Sequence, residues 1–349
     1  MDDVGLIQNC IPRITAWYRE NRRSLPWRDD PTPYHVWISE IMLQQTRIEA
    51  VIPYYARFLA ALPDVASLAE VEEDRLLKLW EGLGYYSRAR NLRKAARLVM
   101  AEYGGELPHR AELLKKLPGI GDYTAGAIAS IACGEAEPAV DGNVLRVLMR
   151  LLARDDDVLA ARTKNETAAL LRGVYPAGEE AALLTEGIME LGETVCIPNG
   201  EARCGVCPLR GLCRAERAGT VERYPVRPAP RPRRIEERTV LLLRCAGRYA
   251  IRRRPEAGLL AGLWEFPGVE GVLTADEAAA WAEARGVRVT GAAPCGEARH
   301  AFTHVEWHMT GYLVEVSRIG GDFLWLTPAQ IRAGYPLPTA LSAYKKLLK

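Results

Sequence analysis

The stretch "CIPNGEARCGVCPLRGLC", residues 196 to 213, holds four of the chain's eight cysteines. Cys196, Cys204, Cys207 and Cys213 have the spacing C-x7-C-x2-C-x5-C. Thiolates this close in sequence can wrap one metal centre. A four-cysteine set suits a structural zinc ion or an iron–sulfur cluster, and spacing alone does not choose between them. No histidine lies nearby to join the set. The N-terminus, "MDDVGLIQNC", begins acidic and lacks the apolar run of about 7–15 residues that marks a secretory signal. No stretch approaches the roughly 20 apolar residues of a membrane span. A cytoplasmic location is therefore expected, where structural disulfides are rare. On that ground the cluster reads as metal ligands rather than as two disulfides, or as a redox pair with two bystanders. Cys10, Cys133, Cys245 and Cys295 are scattered and read as small core residues.

A chain of 349 residues, 48% hydrophobic and 26% charged, has the composition of two or three globular domains. From residue 6 to about 215 the pattern is helical, as in Ile7, Ile11, Ile14 and Trp17. "SLAEVEEDRLLKLWEGLG" reads as a helix opened by a capping box, Ser67 to Glu70, and stopped at Gly82 and Gly84. "HRAELLKKLPGIGDYTAGAIASIACG" reads as helix, tight turn, helix. Asp141 takes a capping position before "GNVLRVLMRLLA". The texture then changes. "YPVRPAPRPRRIEER", residues 224 to 238, is rich in proline and arginine and suits an extended linker. Beyond it, "TVLLLRCAGRYAIRRR" and "HVEWHMTGYLVEV" alternate as strands do, while "DEAAAWAEARGV" and "ALSAYKKLLK" read as helices.

In "LPGIGDYTAGAI", Gly119 and Gly121 flank one apolar residue between two helices. Glycines there can adopt angles closed to other residues and leave amides exposed at a helix start, which attracts a phosphate without reading a base. The formal net charge is only +2, so any nucleic-acid footprint must be local. Arg88, Arg90, Arg93 and Lys94 are candidates to meet phosphates, or equally a solvated helix face.

The glycine turn, the aspartate of "VDGNV" beyond it and the four cysteines further along resemble the helix-hairpin-helix DNA glycosylases. "YHVWISEIMLQQTRIEAVIPYY" and "WEGLGYYSRARNLRKAA" resemble, more narrowly, adenine DNA glycosylases of the MutY type. "IRRRPEAGLLAGLWEFPGV" looks like the opening of a Nudix-type fold. The resemblance covers nearly the whole chain. It implies a multidomain protein with an all-α half bearing an iron–sulfur cluster loop, then an α+β Nudix-like domain. Expected boundaries are 1–28 with 137–220 for a cluster-bearing lobe, 29–136 for a six-helix lobe with the hairpin, 221–237 for the linker and 238–349 for the Nudix-like domain. It favours a 4Fe–4S cluster over zinc on Cys196, Cys204, Cys207 and Cys213. This chain has seven residues in the first gap where the family usually has six, so a small bulge is expected in "IPNGEAR".

Adenine leaves poorly as an anion, so an acid must protonate it while a negative charge shields the cationic sugar. The resemblance assigns the acid to Glu40, whose neighbours Trp37, Ile38, Ile41 and Met42 would raise its pKa. It assigns the stabilising carboxylate to Asp141, for which electrostatic shielding and a transient ester are both open. Tyr123 is expected on the sugar side of the pocket and Asn143 beside Asp141. Endonuclease III-type enzymes have a lysine where this chain has Tyr123, and a tyrosine cannot form an imine. A monofunctional enzyme that leaves an abasic site is thus implied. Gln45, Leu43 and Tyr85 match positions that probe the opposite base and the stack, and Arg88, Gly119 and Gly121 are assigned to the DNA backbone. Phe302, Thr303 and His304 align with a Phe-Ser-His loop that reads 8-oxoguanine, with threonine replacing serine.

The function implied is removal of adenine mispaired with 8-oxoguanine, or with guanine, in double-stranded DNA by a monomer without membrane contact. The alternatives are an endonuclease III-like glycosylase/lyase on damaged pyrimidines, a nucleotide-pool hydrolase and a non-enzymatic DNA-binding protein with structural zinc. The hydrolase is disfavoured because "ADEAAAWAEARGVRV" lacks the R-E-x-x-E-E core of a catalytic Nudix helix.

Overall fold

Apolar residues at helical spacing become helices through the first part of the chain, and the alternating runs become strands in the last. The computed structural model describes residues 2–228 and 232–349. Its helices are α1 (Asp3–Asn21), α2 (Pro26–Asp29), α3 (Pro33–Leu43), α4 (Ile48–Ala61), α5 (Val65–Glu70), α6 (Glu73–Leu79), α7 (Ser87–Glu102), α8 (Ala111–Leu114), α9 (Asp122–Ala127), α10 (Gly142–Leu152), α11 (Ala161–Arg172), α12 (Glu179–Thr194) and α13 (Arg214–Arg217). Next come strands β1 (Arg234–Cys245), β2 (Arg248–Arg253), β3 (Trp264–Glu265), β4 (Gly268–Glu270), β5 (Val289–Ala301), β6 (Val305–Val316) and β7 (Leu324–Leu326), with α14 (Ala275–Glu283), α15 (Pro328–Gly334) and α16 (Ser342–Lys345). Packing gathers the described residues into two units, 2–70 with 91–228 and 71–90 with 232–349.

In the first unit, α1, α10, α11 and α12 share a core that includes Leu6, Ile14, Leu148, Leu151, Leu184 and Ile188. Cys196, Cys207 and Cys213 pack against its edge. Helix α9 runs directly into one π-helical turn, Ile128–Ala132. A Cβ on Gly126 would lie 2.4 Å from the Pro138 carbonyl oxygen. Only glycine therefore lets the segment leading to Asp141 lie against α9, which carries Tyr123.

The second unit is built on a mixed sheet of order β3-β2-β1-β6-β5, with β4 on β1 and β7 on β2. Strands β1 and β6 run parallel, and their neighbours pair antiparallel. Val240 and Leu242 face a core with Ile331 and Tyr344, while Leu241 and Leu243 face another with Ala278 and Ala282. Cover on both faces explains the continuous apolar run in β1. The second unit is thus α+β, and the first is all-α.

Three sequence expectations change. Ser67 does not cap a helix: its amide donates to Asp64 Oδ1 at 2.8 Å, and α5 already starts at Val65. The run expected as one helix then breaks, and α6 starts afresh at Glu73. Of the expected linker 221–237, residues 229–231 lie outside the described residues, Val221–Arg223 form a 3-10 turn, and β1 begins at Arg234. Residues 71–90, expected in the 29–136 lobe, pack in the second unit, where α6 meets α15.

Gly126→Ala should lower stability by about 1–3 kcal/mol, because the Pro138 backbone must move. The urea midpoint of the full chain measures it, and a wild-type midpoint would contradict this packing.

Candidate active site

Side chains from α3, α9 and the start of α10 line one cleft of about 1320 Å³ in the first unit. Glu40 projects from the apolar α3 and is buried. Tyr123, in the first turn of α9, donates its hydroxyl to Glu40 Oε2 at 2.5 Å. Burial pushes the Glu40 carboxyl up to about 7, with the Tyr123 hydrogen bond opposing and the Asp141 charge adding to the rise. Tyr123 is itself raised, first by burial and then by the Glu40 charge, so it remains a phenol. The hydroxyl is thus tied to Glu40, and the Asp141 charge also acts on it.

Asp141 is the N-cap of α10, its Oδ1 accepting from the Val144 amide at 2.8 Å. Its Oδ2 accepts from Asn143 Nδ2 at 2.9 Å. Burial raises its pKa, while the two amide donors and Arg146 favour the charged form. Asn143 also donates to Glu193 Oε1 at 3.0 Å and accepts from Arg146 Nη2 at 2.7 Å. Arg146 continues to the Gly192 and Cys196 carbonyls at 2.9 and 2.7 Å. One hydrogen-bonded chain thus joins Asp141 to the cysteine loop.

Sequence reasoning missed a second wall of the cleft. Arg28 and, on α12, Glu186, Met189, Glu190 and Glu193 line it. Glu190 accepts from Arg23 Nε at 2.6 Å and Arg28 Nη2 at 2.8 Å. Burial raises its pKa, but the arginines outweigh this and hold it below the usual range. Glu186 accepts from Tyr18 at 3.0 Å, yet burial keeps its pKa raised. The signal was present: glutamates at 186, 190 and 193 recur at helical spacing on an otherwise apolar helix.

Gln45 and Leu43 also line the cleft. Gln45 is an exposed non-glycine residue at φ 58°, a strained turn after α3. Among the lining residues the one lysine is Lys164 on α11. Gly119 takes φ 81°, as the hairpin reading requires. Gly121 does not: it is extended, at the N-cap of α9, with nothing near enough to meet a Cβ.

The four cysteines line a second cavity with Arg150, Leu191 and Val195. Burial raises the Cys204, Cys207 and Cys213 thiols, and their neighbours' sulfurs raise them further. Arg150 Nη1 donates to Cys196 Sγ at 3.2 Å and to the Ile197 carbonyl at 3.0 Å. Among the described residues no three acidic, histidine or cysteine side chains converge as a single ion requires. The donor set, four thiols around one cavity, fits a thiolate-held centre, zinc or iron–sulfur.

In the second unit, Phe302, Thr303 and His304 form the turn between β5 and β6. Phe302 packs edge-on to Trp307 at 4.9 Å, which leaves Thr303 and His304 exposed. Tyr85, at φ 46°, places its hydroxyl 3.0 Å from Thr303 Oγ1. Arg88 corrects an expectation. It is buried, donates to the Leu83 and Gly84 carbonyls at 3.0 and 3.2 Å, and lies over Trp80. Its pKa falls to about 10 through burial. It braces a turn and is not presented to a phosphate.

Residues 38–176 match the HhH-GPD superfamily of base excision DNA repair proteins, and residues 239–347 match the NUDIX domain. The chain is 31% identical over 306 residues to an adenine DNA glycosylase of Buchnera aphidicola subsp. Schizaphis graminum, covering 87% of each protein. The chain belongs to the adenine DNA glycosylase family. It is 35% identical over 319 residues to the Mus musculus adenine DNA glycosylase, covering 76% of this chain and 62% of that protein. It thus spans about three fifths of the mouse relative's length. A solved non-covalent complex of endonuclease III with DNA is 26% identical with a TM-score of 0.53, over 63% of this chain and 99% of that one. Among the described residues no helix is long and apolar enough to cross a membrane.

Infrared difference titration of the Glu40 carboxyl band, assigned with Glu40→Gln, should give a midpoint near 7. Tyr123→Phe removes the donor that favours the ionised form, so the midpoint should rise further. A wild-type midpoint in the ordinary carboxylate range, or a fall in the variant, would contradict this geometry.

Proposed function

We propose that this chain is a monofunctional adenine DNA glycosylase. It acts as a monomer on double-stranded DNA and removes adenine opposite 8-oxoguanine or guanine. One observation carries the reading: a carboxyl kept protonatable near neutrality, Glu40, shares a cleft with a second carboxylate, Asp141, held by helix-terminal donors. A carboxyl that keeps its proton near neutrality, facing a second carboxylate, is the pattern of glycosidic hydrolysis.

The target adenine must leave the duplex stack to reach a buried acid. Glu40 gives its proton to a ring nitrogen of adenine. The bond from the sugar C1′ to the base then breaks, and its electron pair leaves with the neutral base. Asp141 supplies negative charge to the oxocarbenium-like sugar, and water adds at C1′, its proton passing to a cleft carboxylate, to leave an abasic site. Tyr123 stands where a lyase needs an amine, so the strand stays intact. Gln45 and Leu43 serve as probes of the stack, and the exposed amides around Gly119 and Gly121 grip the backbone. Thr303, with Tyr85, reads the base opposite adenine. Cys196, Cys204, Cys207 and Cys213 would hold a 4Fe–4S cluster, which would bind their thiolates and fix the loop on α10. The nucleotide-pool reading loses further ground, since Glu277 of α14 is spent on the Thr274 capping box.

Glu40→Gln and Asp141→Asn should each cut the single-turnover rate by at least about a hundredfold while duplex binding survives. Gel shifts beside the rate assay separate the two effects, and near-normal turnover by either variant overturns the assignment. Purified protein should also show visible iron–sulfur absorbance that Cys207→Ser diminishes. Zinc with no such absorbance would contradict the cluster.

A further inference from the structure

Glu81 carries more contacts than a surface glutamate needs. It sits in the turn after α6, and its side chain is 17% exposed. Oε1 accepts from Lys345 Nζ at 2.6 Å and from the Leu337 amide at 3.1 Å. Oε2 accepts from Lys78 Nζ at 2.6 Å. Two donors therefore come from the C-terminal segment of the same unit and one from α6 itself.

The turn beyond Glu81 is conformationally costly. Gly82 and Gly84 take φ 109° and 72°, and Tyr85 takes φ 46° without being glycine. The Trp80 indole donates to the Gly84 carbonyl at 3.1 Å, and Arg88 donates to the same carbonyl at 3.2 Å. Such a turn persists only where its surroundings fix it. Its product is a half-exposed tyrosine whose hydroxyl meets Thr303. Asp74 of α6 also faces Arg253 at 3.7 Å, a weaker tie of the same segment.

We propose that Glu81 is a specificity-positioning residue. Its bonds to Lys345 and the Leu337 amide clamp the 82–85 turn so that Tyr85 and Thr303 act as one reader of the base opposite adenine. This rests on the proposed role of Thr303 and Tyr85 at the opposite base. Glu81 touches neither substrate nor reacting atoms, so it sets the preference between opposite bases and leaves the chemical step alone.

The test uses the full chain and two duplexes, with adenine opposite 8-oxoguanine or opposite guanine. Rates and affinities are measured for wild type, Glu81→Gln and Lys345→Met, each also in a Thr303→Val background. Wild type should prefer 8-oxoguanine. Each latch variant should lose roughly fivefold of that preference, the scale of one ion pair, with the rate opposite guanine unchanged. In the Thr303→Val background the latch variants should cause no further loss, because the two changes act on one pair. Three results overturn the latch alone: a preference intact in both variants, equal losses on both duplexes as from a folding defect, or a full additional loss in the Thr303→Val background. Wild type with no preference would instead overturn the functional reading, and the latch's role with it.

Discussion

Arg146 and Arg150 are buried cations on α10, and each is tolerable only because oxygens and a thiol meet it. That requirement ties distant pieces together. Arg146 needs the Gly192 and Cys196 carbonyls and the Asn143 amide oxygen. Arg150 needs the Ile197 and Tyr224 carbonyls. The end of α12, the cysteine loop and the start of α10 must therefore settle jointly. Asp141 caps the same helix, so its carboxylate inherits this rigidity.

The two carboxyl groups of the cleft differ in what they can accept from their surroundings. Glu40 projects from the apolar α3 and accepts from the Tyr123 phenol, and burial dominates its titration. Asp141 is half-buried and receives a helix amide and a side-chain amide. Burial raises both carboxyls, and at Asp141 the amide donors and Arg146 oppose that rise. At Glu190 the arginines Arg23 and Arg28 outweigh burial and hold the carboxyl below its usual range.

Local pattern made much of this legible. Asp141 stood out at a helix start and the cysteines by spacing alone, while Glu40 was singled out by the family resemblance. Long-range contact was not legible. The pairing of Arg28 with Glu190 spans 162 residues, and that of Glu81 with Lys345 spans 264. No periodicity reports such a partner, so residues 71–90 were expected with the helices around them. Arg88 illustrates the same limit: an arginine on a basic helix looks solvated until the carbonyls of its own preceding turn are seen to claim it. At Ser67 a competing cap three residues earlier decided the helix start.

The most direct measurement takes a labelled duplex with one adenine opposite 8-oxoguanine, incubates it with the full chain and divides it. One half is treated with hot alkali and the other is not. Cleavage only after alkali is the result this account requires, because Glu40 and Asp141 release the base while Tyr123 offers no amine. Equal cleavage in both halves would contradict it. It would mean that an amine, with Lys164 the candidate in the cleft, attacks the sugar.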